Sequence, residues 1–347
     1  MACPAGPTDG GSESRAGPGA RPKLAAMTIT VTALRTTPVK ALQIRSVDAI
    51  ELEPGGARGD RAFYLVDEQG AMVNGKRLGV LHTVRAEYDP AGGTLSLRFA
   101  DGERTEAPVR LGPEVRTTFF GEERRARLLD GPWARALSRH VGRDLRLVAD
   151  GCAVDRGPAG AVSLISRGSL ERLARAERPG PERLAVPGGP GRSRPDGAGG
   201  PGLSGDPACP DPVDARRFRM LIEIDGVDPH AEDDWIGREL SIGGARVRIT
   251  GNVGRCVTTT RGPESGEVDL PTLKMLASYR QELETTEPLP FGVHGEVLRG
   301  GMVRVGDELR VDDERQRDGE RRRDGERRRD GERQRDGELR ADSPPPA

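Results

Sequence analysis

A cysteine that directly follows an arginine is the residue of this sequence best suited to metal or sulfur chemistry. Cys256 lies in the stretch Gly251–Thr260, with Arg255 before it and hydroxyl side chains shortly after it. A thiolate is a soft metal ligand and a nucleophile, and neighbouring positive charge favours it over the neutral thiol. These residues alone make Cys256 a candidate reactive thiol, although a free cysteine is often simply buried.

The other cysteines and the histidines form no second cluster in the sequence. They are Cys3, Cys152, Cys209, His82, His140, His230 and His294. The cysteines are too few and too scattered for a disulfide framework, and without a CxxC pair no local zinc or iron–sulfur site is expected. For each histidine, a packing or surface role is expected rather than metal ligation.

The composition indicates ordered segments that alternate with disordered ones. Of 347 residues, which allow one or two domains, only 34% are hydrophobic and 3% aromatic. The formal net charge of -1 gives no reason to expect a nucleic acid or an anionic membrane as partner. No apolar run approaches the roughly 18 residues that span a bilayer, and no secretory signal is evident. We therefore expect a cytoplasmic protein.

Three segments lack the periodicity of packed elements. Residues 1–26 are rich in Gly, Pro, Ala and Ser and are predicted to be a disordered leader, with Met27 as an alternative start. Residues 177–212, rich in Gly and Pro, are predicted to be a flexible insertion. Residues 313–347 repeat Arg-Asp-Gly-Glu. Their glycines and the absence of an apolar face predict a charged, disordered tail.

The ordered remainder is predicted to be mostly β with a few helices, an α+β protein. Residues 27–148 alternate short β-type runs with turns, which predicts a barrel or sandwich, and residues 149–312 form a second part. The predicted strands include Met27–Val31, Phe63–Val66, Val80–Val84, Thr94–Phe99, Ala161–Ile165, Met220–Ile224, Ala245–Thr250 and Val303–Val305. Helices are predicted around Trp133–Leu137, after a cap at Ser166 or Ser169, and around Leu270–Tyr279.

A series of short motifs occurs in order along these segments. They are Thr37–Lys40, Gly59–Arg61, Ser163–Leu170, Arg217–Arg219, Ala231–Trp235, Gly237–Arg238, Gly251–Thr260, Phe291–Val293 and Gly301–Asp307. The series resembles the MOSC family, named for the C-terminal domain of molybdenum cofactor sulfurase. The resemblance runs from about Met27 to Val311 apart from the insertion, and it implies a MOSC β-barrel preceded by a smaller N-terminal β-barrel-like domain.

The resemblance, chiefly to amidoxime-reducing members, implies a site for the molybdenum cofactor, molybdopterin. Cys256 would be the catalytic residue and the ligand of the molybdenum ion. The implied cofactor contacts are Lys40, Arg61, Ser166, Arg167, Arg219, Arg255, Thr259 and Thr260. A cofactor with a phosphate and a polar ring requires cations and hydrogen-bond donors beside a soft metal ligand. Each residue also has an ordinary alternative: a solvated charge, a helix cap or, for the threonines, a strand.

The chain departs from the family pattern at several of these positions. Ala41 stands where a serine is common, and Gly262 replaces an aspartate. Lys76 or Arg77 occupies the place of an arginine-containing turn, and with Lys76 a bidentate fork becomes a point charge. Met220–Leu221 replaces a Pro-Asn pair. We expect these changes to affect the substrate pocket and the redox tuning more than the fold.

The resemblance implies an oxidoreductase that reduces N-hydroxylated or related N-oxygenated small molecules. Electrons would come from a separate reductase or ferredoxin-type donor, since the chain lacks the cysteine run of a plant-type ferredoxin. The alternative is a non-catalytic carrier of molybdenum cofactor or of a persulfide on Cys256. Its sulfur would come from outside, because no room is expected in this chain for a pyridoxal-phosphate desulfurase domain. A third hypothesis is an interaction module whose site has decayed.

Overall fold

Most of the regular structure of the protein is β-strand, as predicted. The computed structural model of the protein describes residues 28–151, 157–176, 212–285 and 287–312. The predicted leader and tail, and the predicted insertion apart from its last residue, lie outside these ranges, as do three of the four cysteines. Within these ranges, none of the helices is long and apolar enough to cross a membrane.

The described chain contains short strands, α-helices and single 3-10 turns. The strands are β1 (Ile29–Thr36), β2 (Arg45–Val47), β3 (Ala49–Glu53), β4 (Gly56–Ala57), β5 (Tyr64–Val66), β6 (Met72–Val73), β7 (Arg85–Asp89), β8 (Thr94–Arg98), β9 (Arg104–Pro108), β10 (Arg110–Phe119), β11 (Glu122–Asp130), β12 (Arg146–Ala149), β13 (Val162–Ser166), β14 (Ile222–Asp225), β15 (Glu239–Ile242), β16 (Ala245–Gly254), β17 (Pro290–Arg299), β18 (Gly301–Arg304) and β19 (Glu308–Val311). The α-helices are α1 (Trp133–Val141), α2 (Arg167–Ala174) and α3 (Thr272–Arg280). The 3-10 helices are Gly79–Thr83, Gly157–Gly160, Ala215–Phe218, Ala231–Trp235 and Val257–Thr260.

Seven strands close a barrel in the order β14-β13-β17-β16-β15-β19-β1, because β1 also pairs with β14. Only the pairing of β13 with β14 is parallel within this described barrel. Its apolar side chains form a continuous core that includes Leu34, Leu164, Ile222 and Val293, all fully buried. Closure pairs the strand edges with one another and buries this core.

The N-terminal part of the chain forms a second, smaller unit. Its five-stranded sheet has the order β10-β11-β12-β5-β6, and a bridge between Ala71 and Thr118 links the two ends of that sheet. A separate apolar core with Phe63, Leu81 and Trp133 lies beneath it. The Trp133 Nε1 donates a hydrogen bond to the Leu95 carbonyl at 2.9 Å, so the buried indole keeps a polar partner.

Strand pairings connect the two parts across the boundary predicted near residue 148. The first strand, β1, belongs to the barrel that is otherwise built from residues 162–311. Strand β3 pairs with β18, with Ile50 opposite Val303. The two parts therefore share strands as well as a contact surface, and this arrangement fixes the residues that follow β1 against the barrel.

The predicted helices are confirmed. Helix α1 begins at Trp133, and α3 begins directly after Pro271. Helix α2 begins after Ser166, whose hydroxyl accepts a hydrogen bond from the Ser169 backbone N–H at 3.1 Å, the geometry of an N-cap. Local signals were sufficient here because caps and helical periodicity act within a few residues.

The strand predicted at Val80–Val84 is wrong, because these residues belong to the 3-10 helix Gly79–Thr83 and its C-terminal flank. Leu81 and His82 are buried together while Val80 is exposed, a pattern that a strand with alternating faces does not produce. The Thr83 hydroxyl donates to the Val80 carbonyl at 2.7 Å. A short apolar run does not by itself distinguish the two conformations.

The substitution Leu34→Ala tests the closure of the barrel by β1. Leu34 is fully buried in the barrel core, so its truncation should lower the free energy of unfolding by about 2–5 kcal/mol. The control Leu111→Ala removes the same atoms from a side chain that is 47% exposed and should change it by less than about 0.5 kcal/mol. Equal losses in urea denaturation would contradict this role of β1.

Candidate functional site

A cavity of about 180 Å³ lies between the two parts of the chain, and residues of both line it. Six of the predicted site residues are among them: Lys40, Arg61, Arg219, Arg255, Cys256 and Thr259. Among the described residues that line it, six are lysines or arginines and Asp60 is the only carboxylate. A chain with a formal net charge of -1 thus forms a strongly cationic cavity, which favours an anionic ligand.

Cys256 lies at the junction between β16 and a 3-10 helix. It precedes Val257–Thr260 with an extended backbone, and its carbonyl accepts hydrogen bonds from the Thr259 N–H at 3.1 Å and the Thr259 hydroxyl at 3.0 Å. The thiol is partly exposed, lines the cavity and lies 3.5 Å from the Thr258 hydroxyl. The position is therefore accessible, in contrast to an inert core cysteine.

The threonines after Cys256 hold this turn in place. The Thr259 hydroxyl shares a hydrogen bond of 2.7 Å with the Thr272 hydroxyl, and the Thr260 hydroxyl donates to the Val257 carbonyl at 2.7 Å. Thr259 lines the cavity and Thr260 does not. The alternative that these residues extend a strand is wrong, because they form a 3-10 helix.

Arg255 connects the segments around the cavity through hydrogen bonds. Its guanidinium donates to the Phe291 carbonyl at 2.8 Å and to the Phe218 carbonyl at 3.0 Å, and it is almost completely buried. These contacts join the residue before Cys256 to the strand β17 and to the turn before β14. Arg255 thus lines the cavity and also holds the backbone segments around it together.

Two arginines join the parts of the chain at the cavity. The Arg61 guanidinium pairs with the Asp60 carboxylate and donates to the Arg219 carbonyl at 2.8 Å. Arg219 donates in turn to the Leu42 carbonyl at 2.8 Å. Burial first, and then the neighbouring Arg61 charge, lower the pKa of Arg219 to about 9, with only partial relief from Asp60. A bound anion would relieve this repulsion.

Lys40 and Lys76 bring two further charges to the cavity. The Lys40 ammonium is nearly buried and lies 5.4 Å from the centroids of the Phe119 and Phe120 rings. Lys76 lines the cavity whereas Arg77 does not. At the expected position of an arginine-containing turn, the cavity is therefore lined by the ammonium group of a lysine, a point charge, and not by a planar guanidinium.

Ser166 and Arg167 do not line this cavity. Ser166 is fully buried, and its backbone N–H donates to the Glu232 carboxylate at 3.1 Å while its hydroxyl caps α2. The Arg167 side chain is exposed and pairs with Glu171 at 3.2 Å. The structure therefore does not bring these two predicted cofactor contacts to the Cys256 thiol.

The lining residues that sequence reasoning did not assign to the site include Asp60, His82 and Phe120. His82 is only 3% exposed, and neither ring nitrogen makes a hydrogen bond of normal geometry with a described residue. Burial first, and then the Arg219 charge, lower the pKa of His82 to about 4. An isolated histidine and an aromatic in a turn give no sequence signal, although Asp60 lies inside the motif Gly59–Arg61.

The loop after Cys256 meets the Lys76 turn at two facing glycines. A Cβ on Gly266 would lie 1.9 Å from the Gly79 carbonyl oxygen, so the two backbones touch. Arg261 spans this contact, since it donates to the Gly266 carbonyl at 2.7 Å and to the Lys76 carbonyl at 3.1 Å. This contact holds the two sides of the cavity together.

No described cluster of three or more His, Cys, Asp or Glu side chains could hold a metal ion. The chemistry of the site is a soft sulfur donor beside several lysine and arginine side chains, a combination that suits an anionic group carrying a soft metal.

Comparison with known proteins identifies the class to which this site belongs. Residues 28–141 match the MOSC N-terminal beta barrel domain, and residues 153–310 match the MOSC domain. The chain belongs to the MOSC family and carries both domains in this order. The predicted resemblance is confirmed, as is the mostly β fold with a MOSC barrel.

Relatives of the chain include proteins of two kinds. It is 24% identical over 313 residues to mitochondrial amidoxime-reducing component 1 of Xenopus laevis, covering 80% of each chain. A shorter match of 97 residues, at 38% identity, links 26% of the chain to 28% of mitochondrial amidoxime reducing component 2 of Homo sapiens. Molybdenum cofactor sulfurase of Oryza sativa subsp. japonica is 26% identical over 257 residues, which are 71% of this chain and 30% of the sulfurase.

The variant His82→Gln tests the buried, neutral histidine. The unfolded chain binds a proton near the ordinary histidine pKa of 6.5, whereas folded His82 does so only near 4. Stability is therefore lost as the pH falls through this window, by about 2 kcal/mol at pH 5. Between pH 7 and pH 5, the free energy of unfolding measured in urea should therefore fall by about 2 kcal/mol less in the variant than in the wild type. If His140→Gln reduced the pH dependence of the free energy of unfolding by the same amount, His82 would not be its source.

The variant Gly266→Ala tests the contact between the two loops. Gly266 has a φ of 70° and faces the Gly79 carbonyl, whereas Gly306 has a φ of 91° with open space around it. The control Gly306→Ala should cost about 1 kcal/mol of stability from backbone strain alone. Gly266→Ala adds a steric clash and should cost about 2–4 kcal/mol. If thermal unfolding showed the same loss of stability for Gly266→Ala and Gly306→Ala, the two loops would not be held in contact.

Proposed function

We propose that this chain is a molybdenum-cofactor-binding oxidoreductase that reduces N-hydroxylated or related N-oxygenated compounds. The observation that supports the proposal is the convergence of the Cys256 thiol with Lys40, Arg61 and Arg219 in one cavity between the two parts of the chain. The similarity to one amidoxime-reducing component over 80% of the chain supports the same reaction class.

The cavity has the donors that such a cofactor requires. Cys256 offers a soft sulfur ligand, and Lys40, Arg61 and Arg219 offer cations for a phosphate. The mutual repulsion of Arg61 and Arg219 favours an anion between or beside them. The volume of about 180 Å³ is below the roughly 300–1,000 Å³ of ordinary ligand pockets, so a cofactor would also occupy the mouth.

Each residue would contribute binding or orientation. The Asp60 carboxylate orients the Arg61 guanidinium, and Arg255 fixes the backbone that positions Cys256. Ala41, in place of a hydroxyl residue, lines the cavity and offers no side-chain donor, so the backbone and Lys40 would bind that part of the cofactor. When bound, the cofactor would supply the two-electron chemistry that removes oxygen from the substrate.

Electrons would come from a separate protein. We propose an external reductase or a ferredoxin-type donor as partner and a small molecule as substrate, in the cytoplasm. The names of two of the relatives place those proteins in mitochondria, so cell fractionation is the test of the compartment. The purified chain with NADH alone should show no turnover under this hypothesis.

A carrier of molybdenum cofactor or persulfide sulfur is the second candidate. It is favoured by the partial exposure of the Cys256 thiol and by its nearness to the Thr258 hydroxyl, which could donate to a bound sulfur. Persulfide on Cys256 in protein without molybdenum would support this function, and stoichiometric molybdenum with turnover would support the reductase.

The decisive measurement is the molybdenum and pterin content of the full chain from a cofactor-sufficient host. We expect about one of each per chain, with reduction of benzamidoxime by reduced methyl viologen as electron donor. Cys256→Ser should lose molybdenum and turnover because the soft ligand is removed. The matched control Cys209→Ser, outside the MOSC motifs, should keep both.

Arg61→Gln and Arg219→Gln extend this test to the cofactor contacts. Loss of one charge should weaken retention of the phosphate-bearing pterin by about tenfold or more, since charge-assisted hydrogen bonds contribute about 1.5–3 kcal/mol. A folded wild-type chain that contains neither molybdenum nor pterin would refute the proposed function.

A further inference from the structure

Phe120 occupies a turn position that favours a different kind of residue. Strands β10 and β11 are joined by the two residues Phe120 and Gly121, and the pair Phe119–Glu122 closes the turn. Their φ values of 51° and 91° are both positive, as in a type I′ turn. Asn-Gly is the preferred sequence there, because asparagine tolerates this conformation and a bulky aromatic residue rarely adopts it. The turn itself therefore does not account for an aromatic residue at position 120.

The position of the ring points to a use for it. Phe120 lines the cavity that contains Cys256 and is 49% exposed. The other phenylalanine of the described lining, Phe218, is 3% exposed and packs against Phe291 with ring centroids 4.8 Å apart. Phe120 is thus the lining phenylalanine with apolar surface available to a ligand.

Neighbouring groups hold the Phe120 ring in place. The ammonium groups of Lys40 and Lys76 lie 5.4 and 5.8 Å from its centroid, within the range of cation–π attraction. The Phe119 ring meets it edge-on, with centroids 5.2 Å apart and an interplanar angle of 88°. An aromatic surface fixed in this way loses little conformational freedom when a ligand binds.

We propose that Phe120 is a specificity-determining residue that selects substrates whose N-oxygenated group is attached to a planar aromatic ring. The proposal rests on the function proposed above. The ring of the substrate would pack against Phe120 at the mouth, while its N-oxygenated group points towards Cys256. Aromatic pairs attract one another beyond their buried area, so an aliphatic substrate would lose this contact. The pterin of the cofactor is also a planar ring, and the experiment distinguishes the two.

The test compares Phe120→Asn, Phe120→Tyr and the wild type as full chains. Calorimetry gives the affinity for benzamidoxime and for acetamidoxime, steady-state assays give kcat and KM for each, and pterin content is measured in parallel. Phe120→Asn should weaken benzamidoxime binding by about tenfold and raise its KM similarly, with acetamidoxime changed by less than about twofold. Phe120→Tyr keeps the ring and should restore the wild-type preference.

Thermal unfolding excludes a merely structural explanation. Asparagine suits the turn, so Phe120→Asn should unfold at the same temperature as the wild type or up to about 4 °C higher. The control Leu111→Asn replaces a similarly exposed apolar residue outside the cavity and should leave both affinities unchanged. A large fall in the unfolding temperature of Phe120→Asn would show that the ring serves packing, and it would overturn the proposal.

Other results would also overturn it. Equal changes for both probes, or no change for either, would show that Phe120 does not select the aromatic ring. If Phe120→Asn lost pterin but kept the wild-type preference for benzamidoxime over acetamidoxime, the Phe120 ring would contact the cofactor and not the substrate. If the wild type lacks molybdenum and turnover, the proposed function fails, while the calorimetric preference still decides the role of Phe120. A wild type that binds neither probe would exclude that role.

Discussion

Arg61 donates to the carbonyl of Arg219, and Arg219 donates to the carbonyl of Leu42, so each part of the chain holds the other through a partly buried cation. This pair of contacts fixes the distance across the cavity and also concentrates positive charge there. Burial first, and then the Arg61 charge, lower the pKa of Arg219, and Asp60 offsets this only in part. The contacts that join the two parts therefore also bring together positive charges that favour an anionic ligand.

Backbone strain is concentrated around this cavity. The described chain has six non-glycine residues with positive φ, and four of them line it: Ala41, Arg61, Phe120 and Arg219. Such conformations cost about 1–3 kcal/mol each and persist where the surrounding structure enforces them. For Ala41 this structure includes the closed barrel, because β1 anchors the segment that leads to Lys40 and Ala41, whereas Phe120 lies in the turn between β10 and β11 of the smaller unit. Stability of the barrel is thus linked to the geometry of the site.

Cys256 depends on the same framework. The Arg255 guanidinium donates to the Phe218 and Phe291 carbonyls, and the Thr259 hydroxyl and backbone N–H donate to the Cys256 carbonyl. The thiol is therefore placed by buried backbone contacts and left partly exposed in the cavity. The cavity-lining residues Phe120 and Lys76, by contrast, are exposed.

The sequence by itself determined the class of fold, the family, the helices with their caps, and the residues Lys40, Arg61, Arg219 and Cys256 as candidates, because short motifs and local periodicity encode them. Only the tertiary structure decided that β1 closes the barrel, that Val80–Val84 is not a strand, and that Ser166 and Arg167 lie away from the cavity. It also revealed His82 and Phe120. These features depend on which distant segments meet, and no local propensity specifies contacts between residues more than a hundred positions apart.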